Sequence, residues 1–574
     1  AQSAAENLNS QAMTMAAAPK MMSDTDYDTL LHIVEAEAGG EDIKGRIMVA
    51  NVIMNRVESP QFPDSVTEVV WDTEGGYQFS PTYDGRIGTV EISPETEDAV
   101  RQALEGTDYS QGAFFFVAKD QAAKENVDWF ERDLKKLFEA AHQRGMHVLL
   151  DLVPGHTAVT HPWFQESMKA EKNEYTDRYV WTDSLYKRME DVKGIVSVLR
   201  GISPRPASCG VNCFSTQPAL NYGFANITDA GWQQPPDAPG PMATREELKN
   251  IMRFWLTLGC DGFRVDMAGS LVKNDEDKKE TIRLWQDVRA FLNKEFPEAA
   301  LVSEWGKPEV ALEAGFDMDF YLHFGDTGYM DLFRGDHPYF GGDPESDISV
   351  FAGIFAKNQE NLRGKGMMCM PSGNHDMARI SYQLDEEQLR LAYGFIYGFP
   401  GAPFLYYGDE IGMRYIPDMI SVEGGYERTG SRTPMQWSKG VNGDFSSAPS
   451  RMLYMAMDPD TDRPDAESQM AQEDSLYHWI QRLIALRKAY PCFGNDGYAE
   501  FVKAEKGCSP IVLKREKEGS CGYVVLNPFD QPLFVEDFGI DQTEQLICRG
   551  GAPKKTEDHQ LEIAAKSMAW LLVK

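Results

Sequence analysis

The sequence is poor in cysteine and contains no long apolar run. Eight of its 574 residues are Cys, far too few for a disulfide framework in a chain of this length. Only Cys209 and Cys213 lie close together. A CxxxC motif without a second pair is a weak metal signal, so we interpret both as ordinary thiols. No stretch approaches the ~18 consecutive apolar residues that a membrane span requires.

Positive charge is scarce as well. The chain has 56 Lys and Arg against 89 Asp and Glu, a formal net charge of −33. Nucleic acids and anionic membranes are bound through basic patches, so we expect neither as a partner. Residues 1–25 lack the charged start and apolar centre of a signal peptide. We expect a disordered leader or the remnant of a cleaved signal peptide there, and the localisation stays open between cytoplasmic and secreted.

The apolar content of 42% is ample for several cores, and one stretch raises the question of their arrangement. Residues 130–157, FERDLKKLFEAAHQRGMHVLLDLVPGHT, predict an amphipathic helix, a turn at Gly145 and a buried strand. This is the second half of a βαβ unit, which requires an earlier parallel strand. The 129 preceding residues therefore either supply that strand or form another domain.

Those preceding residues predict a small, mainly helical domain. An apolar stripe with helical spacing begins after Asp26 and ends at Gly39-Gly40, and a second helix is predicted from Ile43 to Val57. Glu37 and Glu41 flank the break, where a carboxylate faces either a cleft or bulk water. The segments AEAGGE, VANVIMNRVESPQFPDSV, YQFSP and GAFFFVAKDQAAKENVDWF follow one another in this order.

Together these segments resemble the catalytic domain of bacterial cell-wall hydrolases of the spore-cortex-lytic type, over residues 26–138. The resemblance implies that Glu37 protonates the glycosidic oxygen of peptidoglycan. This chain departs from the family at Gly39, where the family has an Arg, and the charge around the site is changed accordingly.

Further along the chain, three strand-like runs end in carboxylates. LGCDGFRVDMAG places Arg264 and Asp266 on one face of a strand by alternation, AALVSEWG ends at Glu304, and MMCMPSGNHD ends at Asp376. Barrel active sites are assembled at the carboxyl ends of strands. Glycoside cleavage needs one ionised and one protonated carboxyl group. Arg264 favours ionised Asp266, whereas the apolar run and the Trp that flank Glu304 favour a dry site and a raised Glu304 pKa.

The same residues resemble the α-amylase superfamily from about residue 133 to the C-terminus. The segments DLVPGHT, QPALNYGF, GFRVDMAG, LVSEWG, GNHD, GAPFLYYGDEIGM and RTPMQW carry the resemblance. It implies a retaining mechanism through a covalent glycosyl-enzyme, with Asp266 as nucleophile, Glu304 as general acid/base and Asp376 as third carboxylate. The expected substrate-binding residues are Arg264, His156, His375, Asp151 and Arg379.

Two departures from this family concern metal and substrate. Gly155 and Ala219 stand where the family has an Asn and an Asp associated with its structural calcium. Since a hard cation needs several oxygen ligands, we expect no calcium there, no other metal and no cofactor. The RTPMQW segment is commoner in the α-glucosidase and trehalose-synthase-like branch, which favours short α-glucosides over starch.

The predicted fold is α/β: a TIM-type (β/α)8 barrel over 139–488, with an excursion domain over 157–244 after its third strand. A C-terminal antiparallel β-sandwich is predicted over 489–574, from short alternating runs separated by turns. In the family, DLVPGHT ends the third barrel strand, and the two earlier strands and an aromatic platform for the sugar precede it. Here the cell-wall-hydrolase-like domain stands in their place, so we expect the barrel to be incomplete at its N-terminal end.

Several interpretations stay open. The chain is a natural two-module protein, a truncated amylase-like chain that folds but is catalytically weak, or an artefact that joins two genes at a similar helix. The main functional prediction is a retaining α-glycoside hydrolase acting on an oligo- or polysaccharide. The alternatives are a peptidoglycan-lytic enzyme acting through Glu37 and a carbohydrate-binding chain without turnover. The sequence leaves the oligomeric state open.

Overall fold

The computed structural model describes residues 22–58, 62–72, 79, 81–82, 85–110, 134–322, 327–420 and 426–574. The predicted leader, apart from residues 22–25, and the segment GAFFFVAKDQAAKENVDWF lie outside these ranges. The chain divides into two compact units. The first comprises the described residues up to 134 together with 444–456, and the second comprises residues 135–443 and 457–574. The division falls at 134/135, within the FERDLKKLF segment; the domain boundary predicted from the sequence is 138/139.

Within its described residues, the first unit has four α-helices with defined bounds, which pack around a core of their own. They are α1 (Asp24–Ala38), α2 (Ile43–Glu58), α3 (Val66–Val70) and α4 (Pro94–Leu104). Ser23 caps α1 and Ser93 caps α4, each accepting a hydrogen bond from a backbone N–H of the first turn. The predicted stripe is buried at Leu30, Val34 and Ala38, and α1 ends at the predicted Gly break. Pattern and caps together therefore determine these helices.

The second unit contains a parallel sheet of six strands. These strands are β1 (Leu149–Leu152), β4 (Gly262–Val265), β5 (Ala300–Ser303), β6 (Met318–Phe320), β7 (Met367–Pro371) and β8 (Ala402–Phe404), and their order in the sheet follows the chain. The hairpin of β2 (Ser197–Leu199) and β3 (Cys209–Val211) lies in the predicted excursion. Within the described residues, β1 and β8 each pair on one side only in this sheet.

Helices connect these strands and complete the unit. They are α5 (134–142), α6 (Pro162–Ser167), α7 (Pro239–Leu258), α8 (Lys279–Glu295), α9 (Pro308–Glu313), α10 (Ile348–Leu362), α11 (Glu386–Gly398), α12 (Tyr426–Thr429), α13 (Ala466–Ala471) and α14 (Leu476–Ala489). Phe138 of α5 is buried, close to Gly259 at the end of α7. The predicted helix–turn–strand segment thus packs as part of the second unit.

The C-terminal residues form two antiparallel sheets. One contains β9 (Tyr498–Lys503), β10 (Ile511–Lys517), β11 (Ser520–Asn527), β13 (Thr543–Arg549) and β16 (Ser567–Val573), and the other contains β12 (Leu533–Glu536), β14 (Lys554–Lys555) and β15 (Gln560–Ile563). Alternate residues of β11 face opposite sides of the sheet. Tyr523 and Val525 pack between the two sheets. Val524 and Leu526 pack into the core beneath the barrel helices. Side chains on both faces of β11 are therefore buried.

Close approach and buried hydrogen bonds join this sheet to the barrel. A Cβ at Gly394 of α11 would collide with Met568 Sδ, and Trp570 Nε1 donates to the Gly394 carbonyl at 3.1 Å. Arg487 of α14 is buried and donates to the carbonyls of Tyr397, Phe399 and Gly401, where α11 ends and β8 begins. The last carbonyls of a helix have no intrahelical donor, and here one guanidinium supplies their hydrogen bonds.

The described residues contain neither a membrane-spanning helix nor a disulfide bond. No described helix is long and apolar enough to cross a membrane. All eight Cys lie in described residues and are free, so packing and hydrogen bonds hold the described structure together without disulfides.

The Arg487 contacts predict a large stability cost on substitution. Arg487→Met keeps the apolar stem but leaves three buried carbonyls without their donor, at ~1–3 kcal/mol for each unsatisfied group. We expect a loss of at least about 3 kcal/mol in the free energy of unfolding, measured by denaturant titration. Lys488→Met changes an exposed residue of the same helix and should cost less than about 0.5 kcal/mol. Equal effects of the two variants would contradict the assignment.

Candidate active site

The register of the parallel sheet brings the predicted charged residues to one edge. Asp151 of β1 is directly opposite Arg264 of β4. One step further along the ladder, the Asp266 N–H donates to the Leu152 carbonyl, and the Glu304 N–H donates to the Val265 carbonyl. Both carboxylates are therefore fixed at the carboxyl ends of neighbouring strands, where parallel sheets carry their sites.

One guanidinium joins three of these carboxylates. Arg264 Nη1 lies 2.8 Å from Asp151 Oδ1 and 3.1 Å from Asp266 Oδ1, and its Nη2 lies 2.8 Å from Glu304 Oε2. The planar fork of an Arg suits this geometry, because its donors point in fixed, different directions. The predicted placement of Arg264 and Asp266 on one face of β4 is seen here as a direct contact.

Glu304 is held in a dry environment. Only 7% of its side chain is exposed, and burial raises its pKa to about 7, although Arg264 and a hydrogen bond from the Met267 N–H act in the opposite direction. The neighbouring Asp266 raises the Glu304 pKa as well. Burial and a nearby negative charge both favour the protonated form of a carboxyl group.

The third carboxylate is surrounded by positive and polar groups. Asp376 Oδ1 lies 2.7 Å from Arg428 Nη1 and 2.9 Å from Arg432 Nη2, and His375 Nε2 lies 3.3 Å from Oδ2. Burial alone would raise the pKa of Asp376, but His375 and the two arginines lower it overall. Burial lowers the pKa of His375, on which the charges of Arg264 and Asp151 also act. The His375-Asp376 pair therefore belongs to the same charged edge.

His156 occupies the side of this edge formed by the excursion. Its Nδ1 lies 3.2 Å from the side-chain amide of buried Asn212. Burial lowers the pKa of His156, with Asp266 and Lys273 acting on it in opposite directions. A neutral imidazole in this position suits a hydrogen bond to a sugar hydroxyl better than a fixed charge.

The two positions associated with calcium offer no side-chain oxygen. A Cβ on Gly155 would lie 2.8 Å from the Asn212 side-chain nitrogen, so that amide fills the adjacent space. Ala219 is fully buried in an apolar cluster with Val180 and Phe224. Neither position therefore contributes a side-chain oxygen to a hard cation, which takes six to eight oxygen ligands.

Two predicted site residues lie elsewhere. Arg379 is completely buried, where its Nη1 donates to Asp409 Oδ1 at 2.9 Å and to the Tyr407 carbonyl; in this arrangement it offers no surface to a sugar. Glu37 lies near the end of α1 in the first unit, and its side chain is half-buried. The second unit thus brings together its three reacting-site carboxylates, Arg264 and the two histidines, but not Arg379.

Sequence reasoning missed several supporting residues. Asp319 is buried with its pKa raised to about 6 by burial, and its Oδ1 accepts hydrogen bonds from Ser303 and from the Trp305 and Gly306 N–H groups, which fixes the chain after Glu304. Arg428 and Asn212 carried no motif. Arg432 begins the RTPMQW segment, which pointed to the family but not to its contact with Asp376.

Two families match the chain, in adjoining regions. The family described as the alpha amylase catalytic domain matches residues 130–496, more than half of the chain. The family described as cell wall hydrolase matches residues 40–144. Both predicted resemblances are confirmed, and helix α5 lies inside the overlap of the two matches.

Similar proteins and solved structures agree with the larger match. The chain is 28% identical over 456 residues to the trehalose synthase/amylase TreS of Mycobacterium tuberculosis, covering 70% of each chain. It is 26% identical over 478 residues to the glucan 1,6-alpha-glucosidase of Streptococcus dysgalactiae, covering 75% of this chain and 83% of that one.

The solved trehalulose synthase of Pseudomonas mesoacidophila shares the fold, with a TM-score of 0.62 and 21% identity over 77% of this chain and 86% of that one. The predicted α/β fold with a parallel barrel-type sheet and a C-terminal antiparallel domain is confirmed. The chain belongs to the α-amylase family, as a glycosidase-type enzyme that also carries a cell wall hydrolase domain.

Proposed function

We propose that the second unit is a retaining α-glycoside hydrolase that works by double displacement. The observation that carries the proposal is that Asp266 and the buried Glu304 contact the same Arg264 guanidinium, while burial raises the Glu304 pKa to about 7. Retaining glycosidases need one carboxylate to attack the sugar and one carboxylic acid to protonate the leaving oxygen. The burial of Glu304 supplies the second of these at neutral pH.

The proposed reaction has two steps. An oxygen of Asp266 bonds to the anomeric carbon as the bond to the leaving oxygen breaks, and that oxygen takes the proton of Glu304. Ionised Glu304 then takes a proton from water, whose oxygen displaces Asp266 from the anomeric carbon. The product is released with its original configuration, and both carboxyl groups return to their starting states.

The surrounding residues would bind the sugar. Asp376, kept ionised by Arg428 and Arg432, suits pairs of sugar hydroxyls, and His156 and His375 provide imidazoles next to the reacting groups. Asp151, with 52% of its side chain exposed, remains open to solvent or substrate. Arg379 would act indirectly, through its buried ion pair with Asp409.

The proposed substrate is a short α-glucoside, with longer α-glucans as the broader class. Relatives named as trehalose synthase/amylase and glucan 1,6-alpha-glucosidase support this class, and the RTPMQW segment favours its shorter members. We further propose that no calcium is bound at Gly155 and Ala219, because neither position provides an oxygen-bearing side chain.

A second candidate function concerns the first unit. The cell wall hydrolase match supports peptidoglycan cleavage with Glu37 as the acid. Arg46 is buried and donates to the Gly39 and Glu41 carbonyls and to Glu35 Oε2, so it holds the bend directly after Glu37. It thereby places a positive charge beside the position where the family's Arg is replaced by Gly39.

Substitution of the two reacting carboxylates tests the main proposal. Asp266→Asn removes the nucleophile and Glu304→Gln removes the proton donor, and we expect each to lower turnover of a nitrophenyl α-glucoside at least about 10³-fold. Asp277→Asn, an exposed residue of the same unit, is the matched control. Unchanged turnover in Asp266→Asn would refute the mechanism. Maltooligosaccharide binding without turnover in the unmodified chain would favour the carbohydrate-binding alternative.

The pKa of Glu304 predicts the direction of the pH dependence. The group must be protonated to donate to the leaving oxygen, so kcat/KM should fall above about pH 7, by about tenfold per unit. The measurement is a pH–rate profile on the nitrophenyl substrate. A rate that keeps rising from pH 6 to pH 9 would contradict the role of Glu304 as the acid.

The second candidate has its own test. Glu37→Gln should abolish release of soluble fragments from purified peptidoglycan, whereas Asp266→Asn and the exposed Glu58→Gln should leave that release unchanged. The two functions are thereby separated by substrate and by variant. Peptidoglycan release that survives in Glu37→Gln would exclude this role for Glu37.

A further inference from the structure

A cluster of two histidines and one aspartate lies at the amino-terminal edge of the parallel sheet. His142 ends helix α5, His147 lies in the loop before β1, and Asp261 directly precedes β4. The reacting carboxylates follow the other ends of the same strands, so this cluster is separate from the active site. The three residues are up to 119 positions apart in the sequence, so no short sequence motif indicates the cluster.

The nitrogen and oxygen atoms of the three side chains lie close together. His142 Nε2 lies 2.8 Å from Asp261 Oδ2, and His147 Nδ1 lies 3.0 Å from Asp261 Oδ1. One donor atom from each residue lies within 4.8 Å of the others. Zinc takes imidazole nitrogen and carboxylate oxygen at about 2.0–2.2 Å, which places tetrahedral ligand atoms roughly 3.3 Å apart. To bind an ion, the two imidazole–carboxylate contacts would open by a few tenths of an ångström, and the widest separation between ligand atoms would close by at most about 1.5 Å.

The backbone holds the central carboxylate in place. The Val148 N–H donates to Asp261 Oδ2 at 2.7 Å, and the Asp261 N–H donates to the Val148 carbonyl at 2.8 Å. The Asp261 carbonyl in turn accepts from the Ala300 N–H of β5. Asp261 is thus fixed by the first rungs of the sheet, and ligands on a rigid element need little reorganisation to bind an ion.

We propose that His142, His147 and Asp261 bind one divalent transition-metal ion of the zinc class. Two imidazoles and one carboxylate suit Zn²⁺ and similar borderline-soft cations better than Ca²⁺ or Mg²⁺, which prefer oxygen ligands. His147 has 76% of its side chain exposed, so the fourth position is open to water. The proposed site differs from the expectation from sequence that the chain holds no metal.

The ion would fasten α5 and its loop to the first strands of the sheet. The helix precedes β1, which pairs within the described sheet only with β4. A bond from His142 on the helix to Asp261 at the start of β4 spans this pair and would resist its opening. The site therefore has a stabilising role, and the reaction at the opposite edge does not require it.

Metal titration of the full chain tests the proposal. Zn²⁺ is titrated by calorimetry into the metal-free unmodified chain and into His147→Ala, whose side chain is exposed and should not affect folding. We expect the unmodified chain to bind one more Zn²⁺ than the variant, or to bind that ion at least ten times more tightly. Zn²⁺ should raise the thermal midpoint of the unmodified chain more than that of the variant.

His337→Ala provides the matched control. His337 also contacts two carboxylates, but through opposite ring nitrogens, with Nδ1 facing Asp343 and Nε2 facing Glu345, so it cannot direct both at one ion. Zinc binding should be unchanged in this variant and reduced in His142→Gln, which serves if His147→Ala fails to fold. Equal zinc stoichiometry and affinity in the unmodified chain and in the cluster variants would overturn the proposal.

Discussion

The geometry of the active site depends on the Arg264 guanidinium, which lies between three carboxylates. Asp151, Asp266 and Glu304 reach it from three adjacent strands. Without the guanidinium, negative groups would face one another at short range, and their repulsion would favour protonation of more than one of them. With it, a positive charge contacts all three groups, and the burial of Glu304 still raises its pKa to about 7. Positive charge, strand register and burial therefore together determine the geometry and charge of the active site.

The Arg264 contacts lie close to the edge of the sheet, so the three carboxylates differ in their exposure to solvent. β1 forms one edge of the sheet over the described residues, and Asp151 on it is half exposed, whereas Glu304, two strands further in, is almost fully buried. Ion pairs with exposed partners are weakened by solvent and salt. The contact between Arg264 and Asp151 therefore holds the guanidinium less firmly than the contact with Glu304 does.

Local patterns predicted the elements well, and long-range contacts were beyond them. The stripe ending at Ala38, the alternation around Arg264 and the runs ending at Glu304 and Asp376 are visible in short windows, because period and strand position determine which side chains share a face. The role of Asn212 depends on how the excursion folds back on His156, and that of Arg428 on where a loop meets Asp376. Arg379 is a second example of a long-range contact that short windows do not show. It was expected to bind substrate, and in the fold it forms a buried ion pair with Asp409.

Helix α11 packs against the five-stranded C-terminal sheet, so the parts of this chain differ in how easily they could be exchanged. Gly394, Arg487 and Trp570 interlock the barrel helices with that sheet in one shared core, whereas the first unit has a core of its own. In recombination, the C-terminal sheet cannot be exchanged without also redesigning the surface of the barrel beneath it. The two family matches overlap at α5, so an engineer would divide the chain at that helix.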